Sequence, residues 1–295
     1  MTTIMRRLLV SGLGLMLLAA FLFSFSDIFI KYLSPSIPAI QIAFFRFGLG
    51  VFILWPCLSS KGISLRGNQT RILILRGIFG TLSFFCLLKS IAMIPLANAI
   101  VLLYTFPLFT VLFSFLIFRT ALEKGEFLLI TIGSVGIYIL ANPTFDSFNK
   151  GYIFGLLSGC FGGLAMVSIY KARQTNGPLI IYFYFCLIGG ITTLPFFIRN
   201  FKVPEVHHGI LLVLLALMLL VGQVTMNHGF SFCKASEGSL ILMSEIVFAG
   251  IAGFLIFKDP ITLNFLAGAF LIVGSGVGLN LLRRMSRHPP VSMEY

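Results

Sequence analysis

Residues 96–119 read LANAIVLLYTFPLFTVLFSFLIFR, and residues 235–258 read ASEGSLILMSEIVFAGIAGFLIFK. Each opens on small and polar residues, Leu96-Ala97-Asn98-Ala99-Ile100 and Ala235-Ser236-Glu237-Gly238-Ser239. Each then runs through apolar residues to an -FLIF- block followed by a cation, Arg119 or Lys258. The copies are 139 residues apart, close to half of the 295-residue chain, so the repeated unit is half the protein.

Composition decides the solvent. The chain is 58% hydrophobic and 10% charged, with 33 Phe, where a soluble domain carries about 25% charged residues. Mean hydropathy is +1.03. Apolar runs of about 20 residues recur from end to end, each long enough to cross a hydrocarbon core of about 30 Å. This predicts an all-α membrane protein with the lipid bilayer as its partner. The net charge of +12 does not point to nucleic acid, because the basic residues sit in the short gaps between apolar runs rather than on one face. Cys57, Cys86, Cys160, Cys186 and Cys233 are scattered and odd in number, which argues for core packing over a disulfide framework or a metal site. No nucleotide loop, metal set or cofactor motif stands out.

Ten spans are expected. The first five lie near residues 8–30, 40–58, 72–92, 97–118 and 127–141, within a first repeat of 8–143. The run after Arg6 and Arg7 is too long for a signal-peptide core and is read as span one. The polar stretch Thr144 to Lys150 is the linker. The second repeat, 151–282, holds spans near 152–170, 179–198, 210–229, 236–257 and 263–282. Five spans per half is an odd number, so the halves are expected to be inverted. With the N-terminus inside, thirteen Lys and Arg fall on inner segments and five on outer ones. That bias predicts both termini in the cytoplasm. Inverted repeats are the architecture of many secondary transporters, with the substrate near the midplane.

Charges inside spans carry the functional information, since each costs about 2.5 to 3.5 kcal/mol at the bilayer centre. Glu245 lies nine residues into its span, and its repeat counterpart is Phe106, beside Pro107. It is either a carboxylate locked to an Arg or His that holds the bundle, or a cavity group that meets a substrate cation or exchanges a proton. Arg46 and Arg76 are the matching cations, suited to clamp a substrate carboxylate or to pair with Asp27 or Glu245. Arg76 lies near the inner face, where snorkelling also explains it. Asp27 and Lys31 stand one turn apart, at ion-pair spacing. Lys89 and His228 occupy equivalent positions near span ends, consistent with interfacial placement or with a gate or proton relay. Asn98 and Glu237 correspond as helix N-caps. Tyr104, Tyr182 and Tyr184 either line a cavity or pack. Gly155, Gly159 and Gly163, and the cluster Gly274-Ser275-Gly276-Val277-Gly278, read as close helix packing, with no strand before the latter to make a phosphate loop.

The runs Phe44-Phe45-Arg46-Phe47, Leu75-Arg76-Gly77, Thr105-Phe106-Pro107-Leu108-Phe109 and Ser244-Glu245-Ile246-Val247-Phe248-Ala249 resemble the EamA family of the drug/metabolite transporter superfamily. Ser26-Asp27 through Lys31-Tyr32-Leu33 resembles the subgroup that contains bacterial S-adenosylmethionine uptake carriers and organic-acid carriers. The chain departs from the family's Gly-Glu-Arg turn at Arg119-Thr120-Ala121 and Lys258-Asp259-Pro260, and has Ile246 where a Pro is expected. The resemblance implies an inner-membrane carrier, not an enzyme, working by alternating access without a cofactor, as monomer or homodimer. The expected solute is a small polar metabolite, an amino-acid derivative or organic acid, with S-adenosylmethionine as the named candidate. An exporter of the same fold is the alternative. A channel, a lipid scramblase and a membrane enzyme are the readings from other classes. Substrate contacts are expected from Glu245, Arg46, Arg76, Asp27, Lys31 and Tyr104, and gate or relay work from Lys89 and His228. Reporter fusions to the two chain ends should both read out on the cytoplasmic side; fusions reporting on opposite faces would overturn the mirrored halves.

Overall fold

The structure, a computed structural model, describes residues 12–118, 124–141, 149–229 and 242–285. Among these the chain is all helical. In order the helices are α1 (Gly12–Leu33), α2 (Ala39–Ser60), α3 (Thr70–Met93), α4 (Leu96–Leu103), α5 (Phe106–Phe118) and α6 (Lys124–Ala141). There follow α7 (Lys150–Ala172), α8 (Pro178–Asn200), α9 (Val206–Gly229), α10 (Ser244–Phe257) and α11 (Leu263–Met285). Among the described residues seven segments are long and apolar enough to cross a membrane, α4 and α5 together counting as one, and α10 and the apolar part of α11 are shorter. Helices are the expected outcome for such runs, because in lipid every backbone N–H and C=O must find its partner within the segment.

The expected span near 97–118 is interrupted. Pro107 has no N–H and its ring collides with the carbonyl one turn back, so the helix cannot run through it. Tyr104 and Thr105 form the break: Thr105 N–H bonds to Leu102 O, and the Thr105 hydroxyl takes the same carbonyl at 2.6 Å. The second repeat is interrupted at the matching place. Leu242 is helical, Met243 is a turn, and α10 starts at Ser244, 139 residues after Thr105. Ile246 stands where Pro107 would be, so this half keeps the break without the proline.

The bundle encloses polar residues within an apolar core and also turns large apolar side chains outward. Asp27, Gln41, Arg46, Arg76, Asn98 and Glu245 are buried, whereas Phe52 and Phe270 are each 77% exposed. That is the arrangement lipid demands of a protein whose interior must hold charge. Helix pairing is symmetric under exchange of the two halves. α3 packs on α7 as α9 packs on α1, α3 on α8 as α9 on α2, and α4 and α5 on α7 as α10 on α1.

Glycines set the closeness of these contacts. A Cβ on Gly159 would meet the Thr105 hydroxyl and lie 2.7 Å from Leu102 O; one on Gly163 would lie 2.9 Å from Thr110 N. Gly155 abuts Leu102 and Ser90. The spacing of four in α7 is therefore a flat strip against α4 and α5. In α11, Gly276 and Gly278 press on Met243 and Leu129, but Gly274 meets nothing within 4 Å. Gly159→Val and Gly163→Val should each destabilise the folded protein by about 1 to 3 kcal/mol through overpacking, seen as a lower midpoint in detergent thermal unfolding. Gly274→Ala should leave that midpoint in place.

Candidate functional site

The two helix breaks meet in the interior. Tyr104, at the first break, directs its hydroxyl at the second: it donates to Leu242 O at 2.7 Å and lies 3.1 Å from Glu245 Oε2. The carbonyl left without a helical partner by one break is thus served by a side chain from the other. Glu245 falls in the first turn of α10, where the helix dipole favours a negative charge.

Asp27, from the middle of α1, faces Glu245, with the two carboxyls within hydrogen-bonding reach of each other. Its other oxygen, Oδ2, is buried without a hydrogen-bond partner. Asp27 is 3% and Glu245 4% exposed, so neither is solvated in this state. Arg46 of α2 is the next charge along, close to Asp27, with the Tyr182 hydroxyl of α8 in hydrogen-bonding reach. Its guanidinium lies 3.8 Å above the Phe84 ring and 5.3 Å from that of Phe185. Arg76 of α3 stacks on the other side of the set, 4.4 Å from the Phe185 centroid. The interior therefore has a cationic end on α2, α3 and α8 and an acidic end on α1, α4 and α10. Arg46 Nε, Arg76 Nε and Arg76 Nη1 have no hydrogen-bond partner.

Arg76 does not snorkel. A Cβ at Gly80 would collide with Arg76 Nη1, so the guanidinium lies over the next turn of α3, deeper in the bundle. Phe185, the platform for both arginines, and Phe84, which lies under Arg46, were not singled out from sequence. In a chain this rich in Phe, only the spacing of Phe84 two turns beyond Arg76 and of Phe185 one turn beyond Tyr182 hinted at them.

Lys31 does not pair with Asp27. Its ammonium is 2.7 Å from Asp259 Oδ2 and 3.4 Å from Ile94 O. Asp259 Oδ2 also accepts from Leu96 N–H at 2.9 Å. One carboxylate thus ties the end of α1, the start of α4 and the turn after α10. It also takes the capping role expected of Asn98, whose side chain instead donates to the Tyr152 hydroxyl at 2.9 Å. Pro95 at the N-cap position explains why the start of α4 needs an outside acceptor. Glu237 lies outside the described residues.

Lys89 and His228 lie away from the charged interior. Lys89 lines a crevice of about 810 Å³ between α2, α3 and α8, with Lys202, Ile78, Leu82 and Phe196. His228 is exposed in the last turn of α9. Glu205, His207 and His208, four consecutive positions with Val206 at the start of α9, bring three metal-ligand atoms within 4.8 Å of one another, a local Glu-Val-His-His run that sequence reading passed over.

Two helix breaks related by the repeat thus meet over buried charges of both signs. The model of the EamA-like transporter family matches residues 10–142 and again residues 149–281. The chain belongs to this family. The EamA chain is accordingly an integral membrane transporter of the drug/metabolite transporter superfamily, not an enzyme. The two matches start 139 residues apart, the offset read from the -FLIF- blocks. The pseudopaline exporter CntI of Pseudomonas aeruginosa is 29% identical over 279 residues, covering 94% of this chain and 98% of the exporter. The S-adenosylmethionine uptake transporter of Rickettsia bellii is 22% identical over 263 residues, covering 89% and 90%. A protein of known crystal structure superimposes with a TM-score of 0.57 over 90% of this chain at 18% identity, which supports the fold.

Asp259→Asn should loosen the end of the EamA bundle that carries Pro95. With an ionic hydrogen bond contributing about 1.5 to 3 kcal/mol, a cysteine placed at Ala97 should react about ten- to a hundredfold faster with a membrane-impermeant maleimide from that side. Equal rates in the two backgrounds would show that Asp259 closes nothing.

Proposed function

We propose that this EamA protein is a secondary carrier of ten spans in two inverted halves, both termini in the cytoplasm, in the inner membrane. It moves a small polar metabolite carrying both charges by alternating access. The observation that supports this reading is the separation of sign in the interior: Arg46 and Arg76 at one end, Asp27 and Glu245 at the other, all buried. A zwitterion satisfies both ends at once, since guanidinium takes a carboxylate and the acidic pair takes an ammonium or sulfonium. An empty site needs a substitute cation for the acidic pair, and a proton held between two facing carboxyls supplies it. Uptake driven by exchange or by a proton gradient follows from that alternation. The Lys31–Asp259 contact is made here, so the end that carries Pro95 is closed in this state.

An amino-acid derivative is the substrate class, and S-adenosylmethionine, with an amino group, a sulfonium and a carboxylate, is the first candidate. Its uptake is the named activity of a relative at 22% identity. Outward movement is the second reading, because the relative at 29% identity is an exporter. A channel would not need paired buried charges, and saturable counterflow separates it from a carrier.

In vesicles preloaded with unlabelled S-adenosylmethionine, labelled compound should enter with saturable, counterflow-stimulated kinetics. Glu245→Gln should cut entry by about ten- to a hundredfold, the worth of one charged hydrogen bond, while the protein keeps its thermal midpoint. Unchanged entry in that variant would remove Glu245 from the site.

A further inference from the structure

One carboxylate matches one guanidinium, and the interior holds two. Arg46 and Arg76 are each 8% exposed. Both stack on Phe185, at 5.3 and 4.4 Å from its centroid, which bounds their separation at 9.7 Å. Asp27 lies near Arg46 but also faces Glu245. The groups described around Arg76 are Arg46, Cys186 and Tyr182, with no carboxylate among them. Arg76 Nε and Nη1 and Arg46 Nε are buried donors without partners. Like charges this close in a low-dielectric interior repel, and buried ions are retained when something opposite pairs with them.

The chain also holds Arg76 in place against its easier exit. On a helix, side chains lean toward the N-terminus, which for α3 is the near membrane face. Arg76 instead turns toward the C-terminus, into the space that Gly80 leaves by having no Cβ. Gly80 lets the second guanidinium stay beside the first.

Resting on the carrier reading above, we propose that Arg46 and Arg76 form a two-anion clamp, and that the transported metabolite is an amino compound with at least two carboxylates. One carboxylate goes to each guanidinium and the amino group goes to Asp27 and Glu245. Within the class of amino-acid derivatives this favours dicarboxylates over S-adenosylmethionine, whose single carboxylate leaves one guanidinium unmatched. Gly80 is a positioning residue for the clamp.

The test uses the full chain in nanodiscs. Binding of glutamate, 2-aminoadipate and diaminopimelate is measured by thermal stabilisation, each against its side-chain monoamide, with S-adenosylmethionine as a reference. At least one dicarboxylate should bind about tenfold or more tightly than its monoamide, the scale of one charged contact. Arg76→Gln should bring the two to equal affinity while monoamide binding persists. Gly80→Ala, which keeps the arginine but displaces it, should do the same. Equal binding of acids and monoamides by the unmodified protein would overturn the clamp, as would a preference that survives Arg76→Gln. Binding of S-adenosylmethionine with no dicarboxylate bound would also overturn it, while leaving the carrier reading intact. If neither class binds nor enters vesicles, the clamp and the carrier reading for amino-acid derivatives fail together.

Discussion

The hydroxyl of Tyr104 joins two helices that are each broken at the same point of the repeat. Interrupting a helix in lipid strips carbonyls of their partners where no water can replace them, which costs several kcal/mol per group. Thr105 satisfies Leu102 from within its own break, and Tyr104 satisfies Leu242 across the interface. Because the phenol also reaches Glu245, repair of the backbone and placement of the acid are one contact. The charged interior depends on that coupling. Without the break, Glu245 would sit mid-helix rather than at a helix start that tolerates its charge.

Around this contact the charges are sorted rather than paired. A bundle stabilised by ion pairs would alternate signs and leave no donor empty. Here the cations rest on aromatic faces, which attract a guanidinium without neutralising it, and the acids rest on one another. A ligand that carries both charges would match such an interior, which is what the proposed function asks of it.

The two ends of the bundle are closed by different chemistry. At the Pro95 end, Lys31 and Asp259 form an ion pair that also caps α4. At the other end the loops after α2 and α7 are stapled by neutral bonds: Asn68 N–H to Asn176 Oδ1 at 2.7 Å, and Tyr184 to Arg66 O at 2.7 Å. The positions related by the repeat to Lys31 and Asp259 are Tyr170 and Thr120, so that particular pair has no copy at the equivalent positions. An ionic latch opens when a competing charge arrives, and a neutral staple does not share that sensitivity.

The chain alone determined the environment, the helices and the repeat, because hydropathy and an offset of 139 residues are local or periodic properties that need no neighbours. It also singled out Glu245, Arg46, Arg76 and Asp27, since an ionisable group in an apolar run is anomalous whatever surrounds it. Partnership was not legible. Lys31 had Asp27 one turn away and chose Asp259, 228 residues later. Asn98 stood where a cap belongs and turned to Tyr152. Arg76 had a short route to the membrane face and lay over Gly80 instead. Each outcome was decided by which helices the fold set side by side. A side chain's energy depends on the groups within a few ångströms of it, and in a bundle of two repeats those groups come from distant parts of the chain.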